Sequence, residues 1–159
     1  PVERIAVDDG DTVSIQWEEE NVEVVRVLGI DAPEVRHVSH DLPYGQAFGR
    51  AATGFAKGAF AAATKVELLR AEKRDTYGRT LGYLFVNGKN YSVLILQARL
   101  AVESVSHYGD NGLPKQAAAV LAAAKEAGPV PFEAPYLFRR RMREVSQWLR
   151  KTDQMPEND

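Results

Sequence analysis

Four carboxylates near the start of the chain lie at the ends of predicted strands or in turns: Asp9, Asp11, Asp31 and Glu34. Carboxylates in such positions can converge if two turns lie side by side. A site made only of oxygen ligands suits a hard cation such as Ca²⁺ or Mg²⁺. An Asp-Gly-Asp stretch is also typical of a turn stabilised by hydrogen bonds from its own aspartates, and this alternative stays open.

Two arginines stand where a cation is unusual. Arg26 interrupts an apolar strand between Val25 and Val27, and a buried arginine needs either an ion-pair partner or a planar anion such as a phosphate. Arg79 ends a basic turn, which is either an exposed loop tip or a second phosphate contact. Cations stabilise the charge that develops on a phosphodiester during attack, and a carboxylate can activate water. The set therefore matches what phosphodiester hydrolysis requires.

Alternating and apolar runs predict the elements that must position these residues. The predicted strands are Glu3–Val7, Thr12–Trp17, Val22–Ile30, Lys65–Arg70 and Thr80–Val86, with a hairpin turn at Asn87-Gly88. The predicted helices are Tyr44–Ala63, Tyr91–Leu100 and Pro114–Ala127; residues 35–43 form a loop, and Val102–Gly112 is irregular. This content predicts a mainly β fold with packed helices, a five-stranded closed barrel of the OB type.

Charge is distributed unevenly along the 159 residues, whose net charge is −2. Residues 1–34 carry ten carboxylates and two arginines, whereas 136–151 carry six basic residues and one acidic residue. We interpret 1–128 as one domain, 129–135 as a proline-rich linker, 136–151 as a basic C-terminal helix and 152–159 as an acidic tail. The basic helix either extends a nucleic-acid surface or forms a solvated face that contacts a partner.

Composition excludes several classes of protein. The absence of cysteine excludes disulfides, thiolate metal sites and a cysteine nucleophile. No run of apolar residues reaches the length of a membrane span.

Three motifs, in this order and spacing, resemble the staphylococcal nuclease (thermonuclease) family. They are Asp9-Gly10-Asp11-Thr12, the segment Arg26–Glu34, and Asp75-Thr76-Tyr77-Gly78-Arg79. The resemblance covers roughly residues 5–127 and implies an OB-type barrel with three helices, to which this chain adds the C-terminal helix. It implies a Ca²⁺-dependent nuclease that cleaves DNA and RNA, prefers single-stranded substrate and leaves 3′-phosphate ends. It also favours a secreted, periplasmic or envelope-associated enzyme. A single complete barrel of this kind is expected to work as a monomer.

The resemblance implies a metal site built from the first two motifs. Asp11 and Asp31 bind Ca²⁺ through their carboxylates, and the main-chain carbonyl of Ala32 completes the protein ligands. The family often has threonine at that last position, but a main-chain ligand survives the change to alanine. Asp9 holds a water molecule beside the metal.

The resemblance also implies the residues that act on the substrate. Glu34 orients or activates the attacking water, and Arg26 and Arg79 bind the phosphate. Thr76 stands where the family often has lysine, and the segment 103–109 offers few aromatic side chains for a terminal base. Both departures predict weaker substrate binding than in a strongly basic member.

Two other functions compete with hydrolysis. One is a non-catalytic binding module for nucleic acid or protein, since related domains can lose the metal and arginine residues. The other is an OB-type barrel that recognises a sugar or peptide, with Arg26 in a structural ion pair. His37 and His40 could bind a transition metal, but without another nearby nitrogen or sulfur ligand they are interpreted as an exposed loop.

Overall fold

The computed structural model describes residues 4–158, and its first three strands form an antiparallel meander. These are β1 (Ile5–Asp9), β2 (Thr12–Glu18) and β3 (Asn21–Val27). The predicted strand over Thr12–Trp17 is thereby confirmed. Glu3, at which the sequence predicts the first strand to begin, lies outside the described residues.

The strand predicted over Val22–Ile30 is wrong in its second half. β3 ends at Val27, and a separate short strand, β4 (Ile30–Asp31), follows it. Gly29 lies between them with a φ of 85°, a backbone conformation that favours glycine. A Cβ atom there would also lie only 2.9 Å from Cγ2 of Val120. The break redirects the chain, so that Asp31 leaves the line of β3.

Three further strands follow, β5 (Val66–Arg70), β6 (Thr80–Val86) and β7 (Lys89–Asn90). Asn87 and Gly88 have positive φ values of 51° and 79° and form the predicted hairpin turn between β6 and β7. β6 also pairs in parallel with β3, which gives the strand order β1-β2-β3-β6-β5. Within residues 4–158 no ladder joins β1 to β5. The prediction of a closed barrel is therefore wrong, and the curled sheet is an open variant of the OB type.

In the described part of the chain, five α-helices accompany this sheet. They are α1 (Gly49–Ala61), α2 (Tyr91–Gln97), α3 (Val105–Tyr108), α4 (Pro114–Ala127) and α5 (Pro135–Lys151). The predicted bounds of α4 are confirmed. α1 begins later than predicted because Phe48 is left-handed, with a φ of 69°. The segment predicted as irregular contains α3 and a short strand, β8 (Val102–Glu103), which pairs with β4.

The main core lies between the sheet and α1, α2 and α4, and it includes the buried residues Val13, Val25, Val27, Ile30, Leu84, Tyr91, Ile95 and Val120. The C-terminal helix α5 has a small core of its own, in which Phe138 and Met142 pack on Leu42 of the loop before α1. No helix within residues 4–158 is long and apolar enough to cross a membrane.

Candidate active site

The turn between β1 and β2 is held against the segment that follows β4. A Cβ atom on Gly10 would lie 2.7 Å from the Cβ of Ala32, so only glycine allows this close approach. The hydroxyl of Tyr91 donates a hydrogen bond to the Gly10 carbonyl at 2.6 Å. The backbone N–H of Asp11 donates to Asp9 Oδ1 at 3.0 Å, so the predicted Asx-type turn is present. The same turn brings Asp11 to Ala32.

Asp11 and Asp31 face the same guanidinium. Nη2 of Arg26 lies 3.4 Å from Asp11 Oδ2 and 3.8 Å from Asp31 Oδ1. Asp11 Oδ2 also accepts a hydrogen bond from the backbone N–H of Ala32 at 2.8 Å. Both aspartates are buried. The two predicted carboxylate ligands therefore lie close together, and the backbone N–H of Ala32 binds one of them.

Arg26 is fixed by the main chain as well as by carboxylates. Its Nη1 donates to the carbonyl of Val27 at 2.7 Å, and its Nη2 donates to the carbonyl of Ile30 at 2.9 Å. These carbonyls flank the break after β3, so the break that displaces Asp31 also anchors the arginine. The structure contains the ion pairs with nearby carboxylates that the structural alternative for Arg26 predicts. A fork held in this way is also preorganised for a phosphate.

Gly49 and Gln46 hold the backbone of Glu34 in place. A Cβ atom on Gly49 would lie 2.2 Å from the Glu34 carbonyl oxygen, so the start of α1 packs directly on this residue. The backbone N–H of Glu34 donates to Oε1 of Gln46 at 3.1 Å, and the Glu34 carbonyl accepts from the backbone N–H of Gln46 at 2.8 Å. The side chain is then held by an arginine from the far end of the chain.

That arginine is Arg139 of α5. Its Nη1 lies 2.9 Å from Asp31 Oδ1 and 2.7 Å from Glu34 Oε1, and its Nη2 lies 3.0 Å from Asp31 Oδ2. Sequence reasoning gave α5 a basic character but assigned Arg139 no place in the site. The one signal that could have found it is an arginine directly after an apolar anchor, Phe138, on an amphipathic helix.

Asp9, Asp11, Asp31 and Glu34, called the carboxylate cluster below, have perturbed acidities. Burial, the Asp11 charge and a hydrogen bond to Asp11 raise the pKa of Asp9. Burial opposes ionisation of Asp11 too, but Arg26, Asp9 and the backbone of Ala32 outweigh it and lower the pKa of Asp11. Burial and the charges of Asp11 and Asp31 raise the pKa of Glu34, against the opposing effect of Arg139. Crowding of buried carboxylates therefore disfavours the charged forms of Asp9 and Glu34.

The donor chemistry of the cluster fits a hard cation. Within residues 4–158, no three His, Cys, Asp or Glu side chains are arranged to hold a metal ion together. The predicted site needs only two such side chains, Asp11 and Asp31, with a main-chain carbonyl. All of these donors are oxygens, as Ca²⁺ prefers, and both carboxylates already share a cationic neighbour. The rings of His37 and His40 lie 3.8 Å apart in an edge arrangement, and no third ligand of these types joins them in the part of the chain described.

Arg79 lines a groove together with Tyr77 and Arg74. Its Nε donates to Asp75 Oδ2 at 2.6 Å, and its guanidinium carbon lies 5.8 Å from the centre of the Tyr77 ring. The groove, of about 860 Å³, runs between β2, β3 and the turn before β6. We call it the aromatic groove; its lining includes Trp17, Glu23, Arg70, Arg74, Tyr77 and Arg79. Tyr77 is 84% exposed and Trp17 is 43% exposed.

The fold and the cluster define a β+α protein of the OB type with a carboxylate–arginine site at one end of its sheet. A sequence model described as "Staphylococcal nuclease homologue" matches residues 24–128. The chain therefore belongs to the staphylococcal nuclease homologue family. Arg26, Asp31, Glu34 and Arg79 lie within the matched residues, whereas Asp9, Asp11 and Arg139 lie outside them.

Two relatives match the chain over 94 residues, 58% of its length. The SPbeta prophage-derived endonuclease YokF of Bacillus subtilis (strain 168) is 32% identical, and the match covers 30% of that protein. The thermonuclease of Staphylococcus intermedius is 35% identical, with 53% of that protein covered. The chain thus spans about a third of one relative and about half of the other.

Proposed function

We propose that the protein is a Ca²⁺-dependent nuclease that hydrolyses DNA and RNA, prefers single strands and leaves 3′-phosphate ends. The observation that carries this proposal is the convergence of Asp11 and Asp31 on the fixed guanidinium of Arg26, with Glu34 linked to Asp31 through Arg139. Membership of the nuclease homologue family supports it. A monomeric state and a location in the envelope or outside the cell remain predictions from the resemblance.

Each residue of the site has a distinct part in this reaction. Asp11, Asp31 and the Ala32 carbonyl would hold the cation, and Asp9 would fix a water molecule next to it. When bound, the cation supplies positive charge that orients the phosphodiester and stabilises its developing negative charge. Arg26 adds a rigid cationic fork, held by two backbone carbonyls, on the same side.

Glu34 takes a proton from the attacking water. The same burial that raises its pKa makes its carboxylate a stronger base than an exposed glutamate. Arg139 keeps this carboxylate in one orientation. Arg79 contacts the phosphate from the side of the aromatic groove.

The aromatic groove gives the single strand its path. Trp17 and Tyr77 are exposed rings on which unpaired bases can stack, and each has a guanidinium, of Arg70 or Arg79, near one face. Arg74 adds positive charge for the backbone, whereas Arg70 and Arg79 are paired with Glu23 and Asp75. Paired bases in a duplex cannot offer their faces to these rings. The groove therefore supports the preference for single-stranded substrate.

A second candidate function has one observation in its favour. Arg139 already pairs with Asp31 and Glu34, as expected for a site that binds no metal. The chain would then be a non-catalytic module that holds single-stranded nucleic acid in the aromatic groove.

One experiment separates the two candidates. Heat-denatured DNA is incubated in low salt with Ca²⁺ or with excess chelator, using the wild type, Glu34→Gln and the exposed control Glu126→Gln. A nuclease degrades DNA only with Ca²⁺. We expect E34Q to be slower by about 10²–10⁴-fold with unchanged oligonucleotide affinity, and E126Q to match the wild type. A folded wild type that binds the DNA but leaves it intact in both conditions is a binding module.

A further inference from the structure

Arg139 reaches the carboxylate cluster because of how α5 docks. The helix lies beyond the residues that match the family. Its anchors Phe138 and Met142 pack on Leu42, and Nε2 of Gln46 donates to the Glu133 carbonyl at 2.8 Å just before the helix. Leu42 and Gln46 belong to the segment between Glu34 and α1. The position of Arg139 is thus fixed by neighbours of the site.

The Arg139 guanidinium binds Asp31, a carboxylate that the cation would need as a ligand. It binds both oxygens of Asp31 as a fork, a geometry that arginine favours with carboxylates, and it also takes Glu34 Oε1. Its side chain is only 28% exposed. Arg140 and Arg143 on the same helix are exposed. Among these three arginines, docking of α5 therefore selects Arg139 for the site.

Arg139 cannot yield its place by losing a proton. A guanidinium is not deprotonated in proteins, so its positive charge is permanent. A cation that binds Asp31 must therefore either displace the guanidinium or bind next to its positive charge. Either outcome makes the free energy of cation binding less favourable.

We propose that Arg139 is an intramolecular competitor of the divalent cation, by which α5 lowers the cation affinity of the site. This inference rests on the proposed metal site. Binding is reciprocal, so the cation weakens the contact of Arg139 with Asp31 as much as that contact weakens cation binding. An enzyme regulated in this way works only where Ca²⁺ is abundant.

The test measures Ca²⁺ binding without nucleic acid, by isothermal titration calorimetry on the full chain. Arg139→Met removes the charge and keeps the aliphatic stem, Arg139→Lys keeps the charge without the fork, and Arg140→Gln is an exposed control on the same helix. Circular dichroism and the unfolding temperature confirm that each variant is folded. We expect R139M to bind Ca²⁺ about 5–150-fold more tightly than the wild type, R139K to be intermediate, and R140Q to match the wild type.

A second readout uses the unfolding temperature with and without saturating Ca²⁺. Tighter binding predicts a larger rise for R139M than for the wild type. Equal or weaker Ca²⁺ affinity in folded R139M would overturn the competition but leave the metal site intact. If neither protein binds Ca²⁺, the metal site and the competition both fail.

Discussion

Two charged clusters on the same sheet differ in their balance of charge. The first is the carboxylate cluster, in which Arg26 and Arg139 pair with Asp11, Asp31 and Glu34 but not with Asp9. The second, the Glu23 cluster, surrounds one carboxylate with donors. Arg70 donates to both oxygens of Glu23 at 2.8 and 2.6 Å, Trp17 Nε1 donates at 2.8 Å and Thr80 Oγ1 at 2.5 Å.

The pKa values follow this difference. Hydrogen bonds from Arg70 lower the pKa of Glu23 to about 2, against the opposing effect of burial and with help from Thr80 and Trp17. In the carboxylate cluster, burial and like charges raise the pKa of both Asp9 and Glu34. One cluster satisfies its charge and stabilises the fold. The other holds buried carboxylates that repel one another, an unfavourable arrangement that a bound cation would relieve.

Exchange of the central arginine in each cluster should separate rate from stability. Arg26→Lys keeps the charge but cannot serve the carbonyls of Val27 and Ile30 and a phosphate at once. We expect the hydrolysis rate at saturating Ca²⁺ and substrate to fall by about 10²–10³-fold, as for loss of one transition-state donor. Arg70→Lys, the matched change in the Glu23 cluster, should lower the unfolding temperature and leave this rate within a few-fold. An equal loss of rate in both variants would contradict the assignment of Arg26 to catalysis and of Arg70 to stability.

The proposed path of the single strand along the aromatic groove predicts an effect that depends on substrate length. Trp17→Ala removes one ring face, and base stacking contributes about 1–3 kcal/mol per base. Binding is measured in the slowly cleaving E34Q protein with and without Trp17→Ala. We expect Trp17→Ala to raise the Kd for a long single-stranded oligonucleotide by roughly 5–150-fold. The Kd for a dinucleotide that fills only the cluster should stay the same. A matched control is Trp148→Ala, an exposed tryptophan on α5. Equal weakening for both ligands would show that Trp17 acts on the cluster itself.

Much of the sheet could be predicted from the sequence because local patterns determine it. The Asn87-Gly88 turn and the strands beside it follow from two-residue hairpin chemistry. Trp17 was harder to place: alternation groups it with Val13 and Ile15, but the β2–β3 register shifts between Gln16 and Glu18, and Trp17 is 43% exposed. A register shift depends on the partner strand, which local alternation does not encode.

The residues of the site that lie in short sequence motifs could be predicted. Asp11, Arg26, Asp31 and Glu34 come from two motifs, and the close approach at Gly10 explains why these motifs meet. The contact of Arg139 with Asp31 spans 108 positions of the sequence. It depends on how α5 packs on Leu42, which no local pattern specifies.

Loss of the Glu23 charge should have a smaller effect than substitution of Arg26 or Trp17. Glu23→Gln keeps the shape but weakens the contact with Arg70, whose side chain is 51% exposed. We expect the free energy of unfolding at pH 7 to fall by about 1 kcal/mol, the upper range for exposed pairs. Urea denaturation measures it, with Glu67→Gln as the control because Glu67 is 55% exposed and lies 3.6 Å from Lys65. A loss as large in E67Q would show that the surrounding donors add nothing.

The difference in stability between wild type and E23Q should depend on pH in one direction. Because the pKa of Glu23 is lower in the folded state, about 2, than its ordinary value of 4.5, the unfolded chain takes up the proton first as the pH falls. The stabilisation by Glu23 is therefore complete above about pH 5 and declines from there towards pH 2. Urea titrations of both proteins at several pH values from 7 to 3 should show the two unfolding free energies converge. A difference that stays constant over this range would mean that Glu23 acts through its shape and not through its charge, and that the contrast between the two clusters is one of packing.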